Sequence, residues 1–141
     1  MISLVEVRKV FVEAFAEGKI GIPVAYENLE EDKKVKTARE KREEWIRLVI
    51  READTQQITI GHHNPLNRTF GVCILQIFVK RGNGDVRIRK IYDDLSKIVV
   101  ELQTATDWLI VRRARLEIAG TDDSWFQANM TIPFEANQYT E

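Results

Sequence analysis

A run of apolar residues from Phe70 to Val79 (FGVCILQIFV) constrains the fold more than any other segment of the chain. A strand with one solvated face alternates apolar and polar residues, whereas a strand buried on both faces is apolar nearly throughout. The run is too short to cross a bilayer as a helix, and a glycine-rich turn, Arg81 to Gly84, follows it. The segment therefore predicts a central strand that other elements cover on both faces.

Two segments have the periodicity of amphipathic helices. The more regular one begins at Asp85, and its apolar residues recur at i, i+3, i+4 and i+7: Ile88, Ile91, Tyr92, Leu95, Ile98, Val99 and Leu102. The other lies near the N-terminus, where Ser3 and Glu6 have the spacing of a capping box. Its apolar residues, Val7, Val10, Phe11 and Ala14, precede Gly18 and Gly21, which end the element. Both helices are expected to lie on a sheet.

The remaining strands are predicted from alternating or β-branched segments. These are Ile22 to Tyr26, Trp45 to Glu52, Gln56 to Ile60, Arg112 to Ala119 and Trp125 to Phe134. The segment from Gln56 is expected to pair with the strand before it across a turn near Asp54, and Gly61 to Asn67 is expected to be a polar loop. The last two strands predict an antiparallel hairpin.

The order of these elements sets the fold class. Strands and helices occur in separate runs rather than in strict alternation, which favours segregated layers. The predicted fold is α+β, with a mostly antiparallel β-sheet packed with two main helices in a single domain over residues 1–141.

The stretch from Glu30 to Glu44 differs from the rest because it contains six acids and six bases and lacks a continuous apolar face. We expect an exposed arm, loop or partly helical excursion at about 29–44. It is either a solvated connection or an arm that orders on assembly. With two outward arginines of a later strand it supplies the candidate interface residues: Glu31, Lys33, Lys34, Lys36, Arg39, Arg42, Arg113 and Arg115.

No residue pattern predicts catalytic, cofactor or metal chemistry. His62 and His63 are adjacent, so on a strand they would point to opposite faces, and no HExxH or CxxC motif completes a metal site. Cys73 lies in the apolar run, where a buried, unreactive thiol is expected, and as the one cysteine it excludes an intrachain disulfide. A small enzyme or ligand-binding module that uses the Gly61 to Asn67 loop remains an alternative.

The charge balance argues against a protein whose main task is to bind nucleic acid. The formal net charge is −1, whereas phosphate binding favours a basic surface. Two basic groups, Arg87, Arg89 and Lys90, and Arg112, Arg113 and Arg115, form either a solvated face or a local patch for DNA or an acidic partner. The N-terminus is a poor signal peptide because it contains Glu6 and Glu13. We expect folding in a reducing cytoplasm and no membrane association.

Several segments, in order, resemble the tail-terminator family of long-tailed phages. They are Ile22 to Asn28, Trp45 to Leu48, Arg68 to Val72 leading into Gln76 to Val79, Gly82 to Gly84, and Asp123 to Gln127 through Ile132 to Ala136. These are strand and turn patterns, and they cover nearly the whole chain. The charged stretch from Glu30 departs from the family pattern, which often has a shorter, proline-containing loop at this point.

The resemblance implies a structural virion protein without enzyme activity or cofactor. It implies a homo-oligomeric ring, typically of six copies, that caps the tail tube in the virion tail after assembly in the host cytoplasm. The implied partners are other copies, the tail tube protein and the head–tail connector proteins, while DNA passes through the ring without specific binding. A head-completion or neck protein of the same virion is the alternative.

The size of the chain is compatible with such a ring. A 141-residue globule has a diameter of about 37 Å, and six touching copies leave a hole about one protomer wide, enough for a DNA duplex. A cyclic ring needs two different contact surfaces on each copy. The charged stretch and the outward faces of edge strands are the candidates.

Overall fold

The apolar run does form the central strand of a sheet. The computed structural model describes residues 4–27, 33–41, 43–57, 66–80, 82, 84–105, 107–121 and 125–139. The helices are α1 (Leu4–Ala14), α2 (Glu17–Ile20), α3 (Lys33–Glu40) and α4 (Gly84–Ala105). The strands are β1 (Val24–Tyr26), β2 (Trp45–Gln57), β3 (Leu66–Lys80), β4 (Leu109–Val111), β5 (Arg115–Thr121) and β6 (Trp125–Tyr139). The α+β class predicted from the sequence is confirmed.

The sheet has the order β1-β2-β3-β6-β4, and β5 also pairs with β6. The β1–β2 pair is parallel, and all other pairs are antiparallel. The short strand β4 lies opposite Phe134 to Ala136, and β5 lies opposite Phe126 to Thr131, so the two strands follow one another along the same side of β6. The predicted hairpin of the last two strands is therefore confirmed.

Helices α1 and α4 lie on the same face of the sheet. The buried residues of α4 are Ile88, Ile91, Leu95, Val99 and Leu102, and they form one cluster with Cys73, Leu75, Ile77 and Val79 of β3. From α1, the Phe11 ring approaches that of Phe134 to a centroid distance of 5.1 Å. Burial of apolar side chains stabilises this layer by about 25 cal/mol per Å². The apolar faces of α1, α4 and the sheet thus form one hydrophobic core.

Strand β2 is longer than predicted from the sequence. No turn occurs near Asp54: β2 continues to Gln57, with an irregularity in its pairing between Glu52 and Thr55. The long neighbouring strand supplies partners throughout, since Gln56 and Gln57 lie opposite Arg68 and Asn67. A local cluster of polar residues influences whether the backbone turns less than a ladder of cross-strand pairs does.

The ends of the predicted polar loop are also corrected. Leu66 and Asn67 belong to β3 rather than to a loop. Residues 58–65, which include Ile58, Ile60, His62 and His63, lie outside the described part of the chain.

The second face of β3 is less covered than its sequence predicts. We call the side of the sheet opposite α1 and α4, which carries Val72, Ile74 and Gln76 of β3, the open face. These three residues are partly exposed, and α3 covers the open face only at one end, near Trp45. Among the described helices, none is long and apolar enough to cross a membrane.

Candidate assembly surfaces

The described residues offer little reactive chemistry. Within them, no group of three or more His, Cys, Asp and Glu side chains is placed to hold a metal ion. Cys73 is fully buried, and this burial raises the pKa of its thiol far above the ordinary value because the thiolate is poorly solvated there.

Of the forms expected for 29–44, an exposed arm, a loop or a partly helical excursion, the described residues show the last, as the docked helix α3. Val35 and Ala38 of α3 are 0% and 3% exposed and pack with Trp45. The spacing of two small apolar residues three apart was the signal in the sequence, and it is enough for one helical face. Lys33, Lys34, Lys36 and Arg39 are exposed on α3, while Glu31 and Arg42 lie outside the described residues.

An aromatic cluster forms the seat of α3. The Trp45 ring stacks on that of Phe78 with centroids 4.2 Å apart, and the Trp125 ring meets Trp45 edge-on at 6.4 Å. The Arg47 guanidinium lies 5.6 Å from the centre of the Trp45 ring, close enough for a cation–π contact. Helix α3 is thus seated on the buried ring of Trp45, which packs against the partly buried rings of Phe78 and Trp125.

The two predicted parts of the interface lie at different places on the sheet. Arg115 is opposite Thr131 on β6, and it forms an ion pair with Glu117 at 3.2 Å. Thr131 is four positions along β6 from Gln127, the partner of Phe78, which corresponds to about 13 Å. Arg113 and Arg115 are exposed. The structure does not merge them with the α3 lysines into one patch.

Glu44 and Arg87 form an ion pair that was not predicted from the sequence. Arg87 Nε donates to Glu44 Oε2 at 2.7 Å, and Nη2 donates to Oε1. The pair connects the start of β2 to α4, borders a surface depression of about 480 Å³, and raises the pKa of Arg87. The partners are 43 positions apart, so no local pattern indicates them. Arg89 pairs with Asp85, so two of the three bases in the predicted group Arg87, Arg89 and Lys90 are paired with acids.

Two strand edges are free over several residues in the described part of the chain. Strand β1 pairs only with Ile46 to Leu48, so the outer edge of β2 from Val49 onward has no strand beside it. On the other side, β5 pairs with β6 alone. Free edges expose unpaired backbone N–H and C=O groups, which other strands can bind.

A groove of about 300 Å³ lies beside the free edge of β2. We call it the edge groove; its lining residues are Leu4, Val5, Arg8, Glu27, Leu48, Ile50 and Glu52. Leu4 and Val5 are 42% and 76% exposed. At the opposite edge of the sheet, β5 carries Ile118, which is 42% exposed. The sequence signal for this groove was that Leu4 and Val5 fall outside the buried face of the first helix.

On the rim of the edge groove, Glu27 accepts two hydrogen bonds from Arg51, at 2.5 and 2.6 Å. These bonds are the main reason that the pKa of the Glu27 carboxyl is lowered. Desolvation opposes them, and the charges of Arg51 and Arg47 add smaller lowering effects. The carboxylate therefore stays ionised at neutral pH and fixes the side chain of Arg51 at the strand edge.

Comparison with known proteins identifies the family. Residues 6–134 match the family described as phage tail terminator protein. One solved structure has a TM-score of 0.59 with this chain at 16% sequence identity, covering 100% of both chains, and at that identity the likeness shows the fold alone. No curated protein matches the sequence. Because the match covers nearly the whole chain, the protein belongs to the phage tail terminator family, whose members are structural proteins of the virion tail.

Proposed function

We propose that this protein caps the phage tail tube, ends its polymerisation and provides the surface to which the head is joined. Membership of the tail terminator family over residues 6–134 is the observation that carries this proposal. In the proposal, copies of the chain form a ring, of about six subunits, with a hole wide enough for DNA. The ring contacts the tail tube on one side and the head–tail connector on the other.

Termination follows if the two sides of the ring differ. A tube grows because every added ring presents the same receptive surface to the next one. A terminator ends growth when one of its surfaces binds the tube end and its opposite surface lacks the receptive features to which a further ring would bind. Among the described residues, the basic helix α3 covers only the end of the open face near Trp45, so the two ends of the sheet differ, which supports two unlike contact surfaces.

We assign α3 to partner contact within this proposal. Its lysines Lys33 and Lys36 are exposed, while Val35 between them is buried against the sheet. A rigidly held row of positive charge steers an acidic partner and selects its orientation more than it adds affinity. The partner is either the tube or the connector.

The first test is the native mass of the purified protein by light scattering, with and without tail tubes. A ring of about six copies, either free or formed on the tubes, is expected. Electron microscopy of tubes incubated with labelled protein should then show label at one end and no further elongation when tube protein is added. Binding to the portal side instead of the tube end would contradict the proposal and favour a neck protein.

The same assay tests α3. A variant with Lys33→Glu and Lys36→Glu should bind its partner at least ~10-fold more weakly, because like charges then face each other. The matched control changes Lys90→Glu and Lys97→Glu, which are exposed on α4. Equal loss in both variants would show a general charge effect and would remove α3 from the contact.

A further inference from the structure

We propose that neighbouring copies join by edge-to-edge pairing, with β5 of one copy lying antiparallel against the outer edge of β2 of the next, and with Ile118 in the edge groove. This inference rests on the proposed ring and names the surfaces that would close it. At each of the two edges, the binding partner is another copy of this chain.

Strand direction is the first support. Strands β2, β3, β6 and β5 are neighbours in that order and each adjacent pair is antiparallel. Strand β5 therefore runs opposite to β2. Rotation about a ring axis that runs along the strands preserves their directions, so β5 of one copy meets β2 of the next as an antiparallel partner. The two edges differ from each other, as a closed cyclic ring requires.

The faces of the two strands also match. Residues directly opposite in a ladder lie on the same face of the sheet. Leu116 and Ile118 lie opposite Met130 and Ala128, which are buried in the core. Ile50 lies opposite Cys73, which is buried in the same core. Joining the edges therefore brings Ile118 to the side of the sheet that carries Ile50.

Each of the two edges carries exposed apolar side chains that the other edge would cover. Ile118 is 42% exposed on β5, and Leu4 and Val5 are 42% and 76% exposed at the edge groove. These are three of the five large apolar side chains that are exposed in the described residues. A second copy covers all three in one contact, whereas the monomer leaves them in water.

Each of the two edges carries charges of both signs. Arg113 and Arg115 are exposed beside the start of β5, where Arg115 pairs with Glu117, and the edge groove is lined by Glu27 and Glu52 together with Arg8. Mixed, opposed charges set the register of such a contact and slow wrong associations.

Both edges are also limited in length by irregular pairing. The ladder of β2 shifts between Glu52 and Thr55, and that of β5 shifts between Ile118 and Gly120. The longest stretches of the two free edges without such a shift are Val49 to Glu52 and Arg115 to Ile118. Bulges and charged residues of this kind keep free copies from pairing without limit.

Disulfide trapping tests the contact directly. One chain carries Ile118→Cys, and a second carries either Ile50→Cys or Glu52→Cys, which covers two neighbouring registers. After mixing, with tail tubes if these are needed for rings, mild oxidation should trap a large share of the mixed dimers with at least one of the two. A disulfide requires Cα atoms within about 7 Å. Val86→Cys on α4, 79% exposed in the wild type, is the matched control and should give little cross-linking with Ile118→Cys.

A second variant, Ile118→Asp, measures the energetic role of the edge. It should weaken self-association at least ~10-fold, since a carboxylate would be buried against the apolar side chains of the groove and near Glu27 and Glu52, while Val86→Asp should leave association unchanged. Circular dichroism confirms that both variants are folded. Rings that form normally with Ile118→Asp, and no cross-link from Ile118→Cys, would overturn this inference and leave the capping function intact. Absence of rings in the wild type, tubes included, would overturn both.

Discussion

Gly71 of β3 lies directly opposite Phe134 of β6, and the Phe134 ring fills the space that a side chain at Gly71 would need. A Cβ atom added at Gly71 would lie 2.6 Å from Phe134 Cζ and 2.7 Å from the carbonyl oxygen of Arg51. Phe134 is 1% exposed and contacts Phe11 of α1. The aromatic contact that joins α1 to the sheet therefore depends on the absence of a side chain at Gly71.

Gly71→Ala should lower the free energy of unfolding by about 1–3 kcal/mol, the usual cost of overpacking a close-packed core. Urea denaturation followed by circular dichroism measures this change. The control is Gly18→Ala, because an added Cβ there meets nothing within 4 Å and alanine favours the helix. Equal stability of the Gly71→Ala variant and the wild type would show that the Phe134 ring can move aside without cost.

Val35→Ala should destabilise the protein by about 1–3 kcal/mol through lost burial and a residual cavity. Val35 is 0% exposed and packs in the cluster of Trp45. Acrylamide quenching of tryptophan fluorescence should increase as α3 loosens. The neighbouring exposed position supplies the control, since Lys36→Ala should change stability by less than about 0.5 kcal/mol. A deletion of the whole helix would expose Trp45. Point variants therefore distinguish the effect of a lost charge from the effect of lost packing better than the deletion does.

Arg51→Gln should raise the pKa of Glu27 toward the ordinary 4.5, because the variant removes the hydrogen bonds and the positive charge that lower it. A carboxyl whose pKa is lowered by folding adds stability above its unfolded pKa and loses it as pH falls through the folded value. Glu27 is an exposed group, so its effect on stability is small. Carbon-13 NMR titration of the carboxyl measures the shift directly. An unchanged Glu27 titration in the variant would contradict the role given to Arg51.

Cys73 should not react with thiol reagents in the folded protein. It is fully buried, and its raised pKa leaves almost no thiolate at neutral pH. Reaction with a chromogenic disulfide should start only as denaturant unfolds the chain, and should follow the unfolding curve. Rapid labelling under native conditions would show local opening of β3, and it would require Cys73→Ala as the background for the disulfide-trapping experiment.

The Glu44–Arg87 ion pair should show a coupling of about 0.5–1 kcal/mol in a double-mutant cycle, because both side chains are only partly buried. The cycle combines Glu44→Gln with Arg87→Met and measures stability by urea denaturation. High salt should reduce the coupling only in part, since the pair is partly shielded from solvent. A coupling of zero would mean that the pair fixes no contact between β2 and α4.

Periodicity in the sequence was enough to predict α1, α4, the central strand and the final hairpin. Repeats of 3.6 and 2 residues report directly which side of an element is buried. The same reasoning failed near Asp54, where polar residues predicted a turn and β2 instead continues beside β3 to Gln57. Sequence reasoning also left open whether the charged stretch contains a helix, because Val35 and Ala38 are a weak apolar signal among many charges.

By itself, the sequence determined the α+β class and the apolar faces with which α1 and α4 enter the core, since both follow from local patterns that need no partner. The tertiary structure alone decided which residues meet. It placed Glu44 beside Arg87, seated α3 on Trp45, left the open face of β3 partly exposed, and left β2 and β5 with free edges. The physical reason is that these relationships join residues distant in the chain. Their geometry depends on strand order and register, which periodicity along one segment does not encode.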